Sequence, residues 1–194
     1  RTVSPQDDLT AANGRIELRT EGGSLVLGKA LVAGERVALS GTRVVDGDND
    51  GTIDVTAPAL VLTLVSGAGT ANNPLETAVG AVHGTVGTDG LYLRETDGLT
   101  GGIKATGGEV EIVVATGYLI LAPASGDTSG VAVETSGSSA LLLEVLDPAG
   151  TLRVEGQVVA GAGPVTLRSA GTLHQDPGLA TTADGSLGAA PGWS

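Results

Sequence analysis

The 194 residues include no Cys, Met or Phe, one Trp and two Tyr, so a globular core filled by large rings is disfavoured, whereas a narrow interior of stacked Val, Leu, Ile, Ala and Thr is not. Ten basic residues against 22 acidic ones leave a formal charge of -12, which argues against nucleic acid and anionic lipid surfaces as partners and makes cations the natural counterpart. No apolar run is long enough to span a bilayer, and the lack of Cys removes any disulfide framework, as suits a protein that crosses membranes unfolded.

Residues 1–14 read as an irregular lead-in that carries Leu9-Thr10-Ala11-Ala12 into the turn Asn13-Gly14. The chain opens at Arg1 rather than Met, which reads as a processed product or an excised piece. Next comes Arg15-Ile16-Glu17-Leu18-Arg19, whose apolar residues alternate with charges, the period-two signature of a half-buried strand. Further short apolar phrases follow at Ser24–Leu27, Ala30–Ala33 and Arg36–Ser40, with Gly-bearing corners between them. From Ile16 to Val37 is one step of 21 residues, and the step holds three short strands.

A charged interruption, Asp46 to Asp54, stands between Thr42–Val45 and the apolar run Leu60–Val65. Alternation is weak from Gly67 onward, and residues 67–89 are expected to be an irregular loop covering one face. Regular phrases then return. Leu91, Val110, Val131, Leu152 and Leu173 step by 19, 21, 21 and 21 residues, which predicts that they stack strand upon strand with Val131 and Leu152 inward, and Ala132 and Arg153 outward. No stretch carries a helical stripe. The expected fold is all-β: a parallel β-helix (β-solenoid) with three short strands per coil of about 21 residues over 15–170, followed by a Gly/Ala-rich tail over 171–194. A β-sandwich is the minority alternative, because it would place turns every 8 to 12 residues without a three-part period.

The phrases Gly34-Glu35-Arg36-Val37-Ala38-Leu39-Ser40 and Asn73-Pro74-Leu75-Glu76-Thr77-Ala78-Val79, the latter leading into Gly90–Leu99, resemble the filamentous-haemagglutinin-like passengers of two-partner secretion exoproteins and giant bacterial surface adhesins. The likeness covers about residues 9 to 170. It implies a right-handed coil and a secreted, cell-surface setting. The family's amino-terminal secretion domain is not recognisable, so its transporter is not carried over.

Asp46, Asp48 and Asp50, with Gly51 at the sixth place and then Thr52 and Asp54, reproduce the opening of a calcium loop with oxygen ligands at alternate positions. Ca²⁺ is the expected cofactor, with Asp46, Asp48, Asp50, Thr52 and Asp54 as its ligands. The loop departs from the pattern at the twelfth position, where Ala57 replaces a bidentate Glu, so binding by the loop alone is expected to be weak. The competing reading is a solvated acidic turn.

A β-helix enzyme would need clustered carboxylates and a base on one face, for which Glu109, Glu111 and Arg153 are the candidates. Sugar-stacking aromatics are almost missing, and outward charges on a solenoid ordinarily serve solubility. His83 and His174 have no ligand partners at metal-binding spacing and read as surface or loop residues. The chain is therefore expected not to be an enzyme. It is expected to be a structural piece of an extracellular fibre, stalk or adhesin shaft, with further solenoid repeats or identical subunits stacked head to tail as partners. The alternative is a binding module that contacts a cell-surface receptor or glycan, for which the only surface aromatics available are Tyr92, Tyr118 and Trp193.

Overall fold

A computed structural model describes residues 2–178 and, as backbone, the short strands at 181–183 and 187–189. The fold is a parallel β-solenoid of about eight coils, without a helix among the described residues. Residue Val3 bridges Leu25 and starts the first coil, which continues through β1 (Leu9–Ala11) and β2 (Arg15–Arg19). The second coil holds β3 (Ser24–Leu27), β4 (Leu31–Ala33) and the first half of β5 (Arg36–Asp46). Each strand lies in register on the equivalent strand one coil away: Leu9 on Leu31, Ile16 on Val37 and Leu25 on Val44. The 21-residue step from Ile16 to Val37 is thus one coil.

Longer strands follow where corners are mild enough to stay hydrogen-bonded. β6 (Val55–Ala68) and β7 (Leu75–Val86) each run across more than one face, and they pair along most of their length. This corrects the expectation of an irregular loop over 67–89. Inward residues in β7 include Leu75, Val79, Val82 and Val86, all at most 1% exposed, but Gly80, His83 and Gly84 dilute the apolar alternation that marks a strand in sequence. Within that span residues 69–74 leave the ladder, in a tight turn bridged between Thr70 and Asn73, and 87–89 form the corner before the next strand.

β8 (Gly90–Glu95) and β9 (Leu99–Ala105) make the next coil, and here the corners move. Leu91 stacks on Ala68 while Leu93, Arg94 and Glu95 stack on Leu75, Glu76 and Thr77, so β8 covers the ends of two earlier strands. β9 in turn splits: Leu99–Gly101 lie under β11 (Tyr118–Leu121), and Lys104 lies under β12 (Val131–Glu134). From β10 (Val110–Val114) onward each coil again has three separate strands. They are β10, β11 and β12, then β13 (Leu141–Val145), β14 (Thr151–Val154) and β15 (Gln157–Ala160), then β16 (Val165–Ser169), β17 (Thr172–Gln175) and β18 (Thr181–Ala183), with β19 (Leu187–Ala189) upon β16.

Two details of the expected register are corrected. Val110 stacks on Leu141, 31 residues on, and Val131 stacks on Gln157 rather than between Val110 and Leu152. The coil between them carries extra residues at its corners, so an even 21-residue step matched strands on different faces. A register shift within β12 also turns Ala132 and Val133 inward, 1% and 0% exposed, and leaves Val131 half-buried. Of the tail expected over 171–194, β17 continues the stack, while residues 179–180, 184–186 and 190–194, Trp193 among them, lie outside the described residues.

The shifted corner leaves the face of β7 at Val79 without a strand above it, since β8 pairs only as far as Thr77 and β9 resumes at Ala81. The Glu95 side chain substitutes for that strand. Its carboxylate is fully buried and accepts hydrogen bonds from the Thr77 hydroxyl at 2.6 Å, from the Val79 N–H at 3.1 Å and from the Thr96 N–H at 2.9 Å. Burial outweighs these donors and pushes its pKa up from 4.5 to about 7.

Between pH 4.5 and about 7 the folded protein holds the Glu95 proton that the unfolded chain has released, so stability falls as pH rises through that window. The drop in melting temperature from pH 5 to pH 8 should therefore be smaller in Glu95→Gln than in the wild type; equal drops would show that Glu95 does not titrate in this way. In the core, Leu152 is 0% exposed between Leu119 and Leu173, and Leu152→Ala should cost about 2 to 5 kcal/mol in chemical denaturation. Arg153→Ala, which removes exposed ion pairs to Glu155 and Asp176, should cost under about 1 kcal/mol, and Val133→Ala should cost more than Val131→Ala.

Candidate metal centre

The acidic segment sits at a corner where two successive coils both carry insertions. Asp46 closes β5, in register with Leu27, and residues 47–53 then project from the stack before the chain returns at Asp54. The projection turns at Asn49 and Gly51, whose φ angles of 49° and 75° lie in the left-handed region that Asn and Gly tolerate best. Asp54 is already part of the ladder: its carbonyl accepts from the Leu31 N–H at 2.8 Å and its N–H donates to the Glu76 carbonyl at 2.9 Å. The excursion therefore starts and ends at neighbouring points, which brings its first and last carboxylates together.

Oxygens of Asp46, Asp48 and Asp54 all lie within 4.8 Å of one another. Asp46 and Asp54 are buried, 3% and 5% exposed, and Asp48 is exposed. Asp46 Oδ1 accepts from the Asp48 and Asn49 N–H groups at 3.1 and 3.2 Å, which ties the loop back over the site. Asp50 does not join the group. Its carboxylate accepts from the Thr52 N–H at 2.8 Å, and the Thr52 donors lower its pKa. Thr52 thus serves Asp50, and the structure gathers three of the five residues expected as ligands. Ala57, at the place of the missing Glu, is buried in the core.

The next coil brings two further polar residues to this corner. Glu76 lies 22 residues beyond Asp54, directly across the ladder, and its N–H donates to Asp54 Oδ2 at 3.1 Å. Asn73, from the turn of that coil, donates through Nδ2 to the Asp46 carbonyl at 3.0 Å. Neither residue is visible in a calcium-loop pattern, which reads along the chain, but one coil spacing added to Asp54 leads to Glu76.

Electrostatics at this corner are unfavourable. Burial, and then the Asp46 charge, push Asp54 up to about 8. Burial followed by Asp46 also raises Glu76, and hydrogen bonding with the Asp46 side chain, then burial and the Asp50 charge, raises Asp48. Among the described residues no ion pair reaches Asp46, Asp48, Asp54 or Glu76.

The other candidate groups are kept apart. Glu111 stacks between Tyr92 and Leu142, whereas Arg153 stacks between Ile120 and His174 on another face and pairs with Glu155 and Asp176 at 3.0 and 3.2 Å. Glu109 accepts from the Tyr92 hydroxyl at 2.8 Å. His83 is half-buried on β7, and His174 lies 3.3 Å from Asp176 on β17. No protein-family model matches the chain, and neither a curated protein nor a solved structure matches it.

Proposed function

We propose that the chain is a structural segment of an extracellular β-solenoid shaft, of the filamentous-haemagglutinin-like kind, on which further coils of the same kind are stacked. The observation that carries this reading is the outer edge of the first coil. Val3, Leu9, Ala11 and Leu18 are only partly buried there, while their equivalents one coil in, Leu25, Leu31, Ala33 and Leu39, are 0 to 5% exposed. An aliphatic stack that opens at its end, beside strands with unpaired N–H and C=O groups, is the surface that another coil completes.

The sides of the stack suit a shaft. Outward charges pair between neighbouring coils, as in Arg36 with Glu17 at 2.8 Å and Arg168 with Glu144 at 3.1 Å. The interior is sealed by aliphatic residues, with stiffness supplied by the continuous ladder. The acidic surface and the absence of Cys accord with export in an unfolded state. At about 4.8 Å per coil, eight coils make a rod roughly 40 Å long.

Sedimentation and electron microscopy of the 194-residue chain at micromolar concentration, combined with amide hydrogen exchange, test the reading. Expected are rods that lengthen in multiples of the single stack and shorten to one unit in Leu9→Lys, or single rods whose outward first-coil amides exchange quickly. A monodisperse single unit with those amides as protected as the ones in β4 and β5 would show that the edge is already capped and the reading wrong.

A further inference from the structure

We propose that Asp46, Asp48 and Asp54, together with Glu76 and the side-chain oxygen of Asn73, hold one Ca²⁺ that clamps two successive coils to each other. The first support is distance: Ca²⁺ holds oxygens at about 2.3 to 2.6 Å, so ligands on opposite sides of one ion are about 5 Å apart, and the three Asp oxygens lie within 4.8 Å of one another, while Glu76 stands outside that group and would complete the shell by closing onto the ion. The second is a set of orphaned acceptors. Asp46 is 3% exposed, yet its Oδ2 is sealed from solvent without a hydrogen-bond partner. Asn73 Oδ1 and Glu76 Oε2 are sealed and unpartnered in the same way.

Hydrogen bonds across the coil boundary tie Asn73 to the Asp46 carbonyl and Glu76 to the Asp54 carboxylate. Asn73 Oδ1 can only accept, and so can the two carboxylate oxygens while they are ionised. A buried acceptor without a donor costs about 1 to 3 kcal/mol, and more when charged, so the group missing from this corner is a donor or a cation. No Lys, Arg or His among the described residues forms an ion pair with these carboxylates; a counter-charge, Arg94, stacks on Glu76 from the following coil and attracts it without pairing. An all-oxygen set of carboxylates and one amide, without nitrogen or sulfur, selects a hard cation, and its mixed, irregular donors suit the flexible shell of Ca²⁺ better than the strict octahedron of Mg²⁺. Glu76 thereby does from the adjacent coil what the Glu at the twelfth position of a linear calcium loop does from the same segment. The site is a property of two stacked coils, and it does not depend on the shaft reading.

Calorimetric titration of the chelator-treated 194-residue chain with CaCl₂, alongside thermal melting, tests the clamp. One Ca²⁺ per chain and a melting temperature that climbs with Ca²⁺ into the millimolar range are expected. Asp54→Asn and Glu76→Gln, near-isosteric and charge-neutralising, should each weaken binding by about tenfold or more, while Asp50→Asn should stay within about twofold of the wild type. Glu76→Gln at a half-buried position carries the test if Asp54→Asn fails to fold. Absence of binding heat and of any melting shift at about 10 mM Ca²⁺ would overturn the proposal. So would an Asp50→Asn loss as large as that of Glu76→Gln, because the ligands would then be those of the linear loop.

Discussion

Parallel, in-register pairing governs this molecule. Each strand lies on the equivalent strand of the previous coil, with Ile16 on Val37 on Leu60 on Val82, so whatever points inward at one level meets the inward group of the next, about 4.8 Å away. Aliphatic side chains satisfy that constraint at every level, and the core is a column of Leu, Val, Ile and Ala for that reason. Rings are not needed, because stacked aliphatic side chains make up the buried cluster. The same constraint makes charge expensive, since a buried charge in one coil has only its neighbours in the adjacent coils to answer it.

Where the ladder is imperfect, side chains repair it. The transfer of corners around β8 and β9 leaves the Val79 N–H without a strand to meet, and the Glu95 carboxylate accepts from it instead. A fully buried carboxylate is a costly repair, which its raised pKa records. Glycine serves the same region in another way. At Gly90 the φ of 79° and a backbone so close that a Cβ would sit 1.9 Å from the Glu109 carbonyl oxygen leave room for no side chain. Conformational freedom is spent there on bringing one coil down onto the next.

The acidic corner shows the opposite use of the stack. Insertions in two successive coils, residues 47–53 and 69–74, project at the same corner, and the ladder between them aligns Asp54 with Glu76. Residues that the chain keeps 22 positions apart become hydrogen-bonded neighbours by the pitch of the coil alone. An arrangement that raises the pKa of Asp54, Glu76 and Asp48 together stores repulsion, and a divalent cation would turn that repulsion into attraction between coils.

The sequence by itself determined the class of the fold. Period-two alternation in short phrases, a step near 21 residues, Gly at corners and a core vocabulary without rings together require stacked strands, and these signals are local or nearly so. It also determined where the acidic cluster begins and ends, because Asp46, Asp48 and Asp54 are close in the chain. Only the tertiary structure decided which strand lies on which. Corner insertions change the length of individual coils, so Val110 meets Leu141 rather than Val131, and the register shift in β12 reverses Val131 and Ala132. It alone decided that β7 is a strand, since the pairing partner on each side, and not its own diluted alternation, holds it extended. And it alone brought Asn73 and Glu76 to the acidic corner while turning Asp50 to Thr52, because residues of the next coil are joined to it by hydrogen bonds across the stack, which no pattern read along the chain contains.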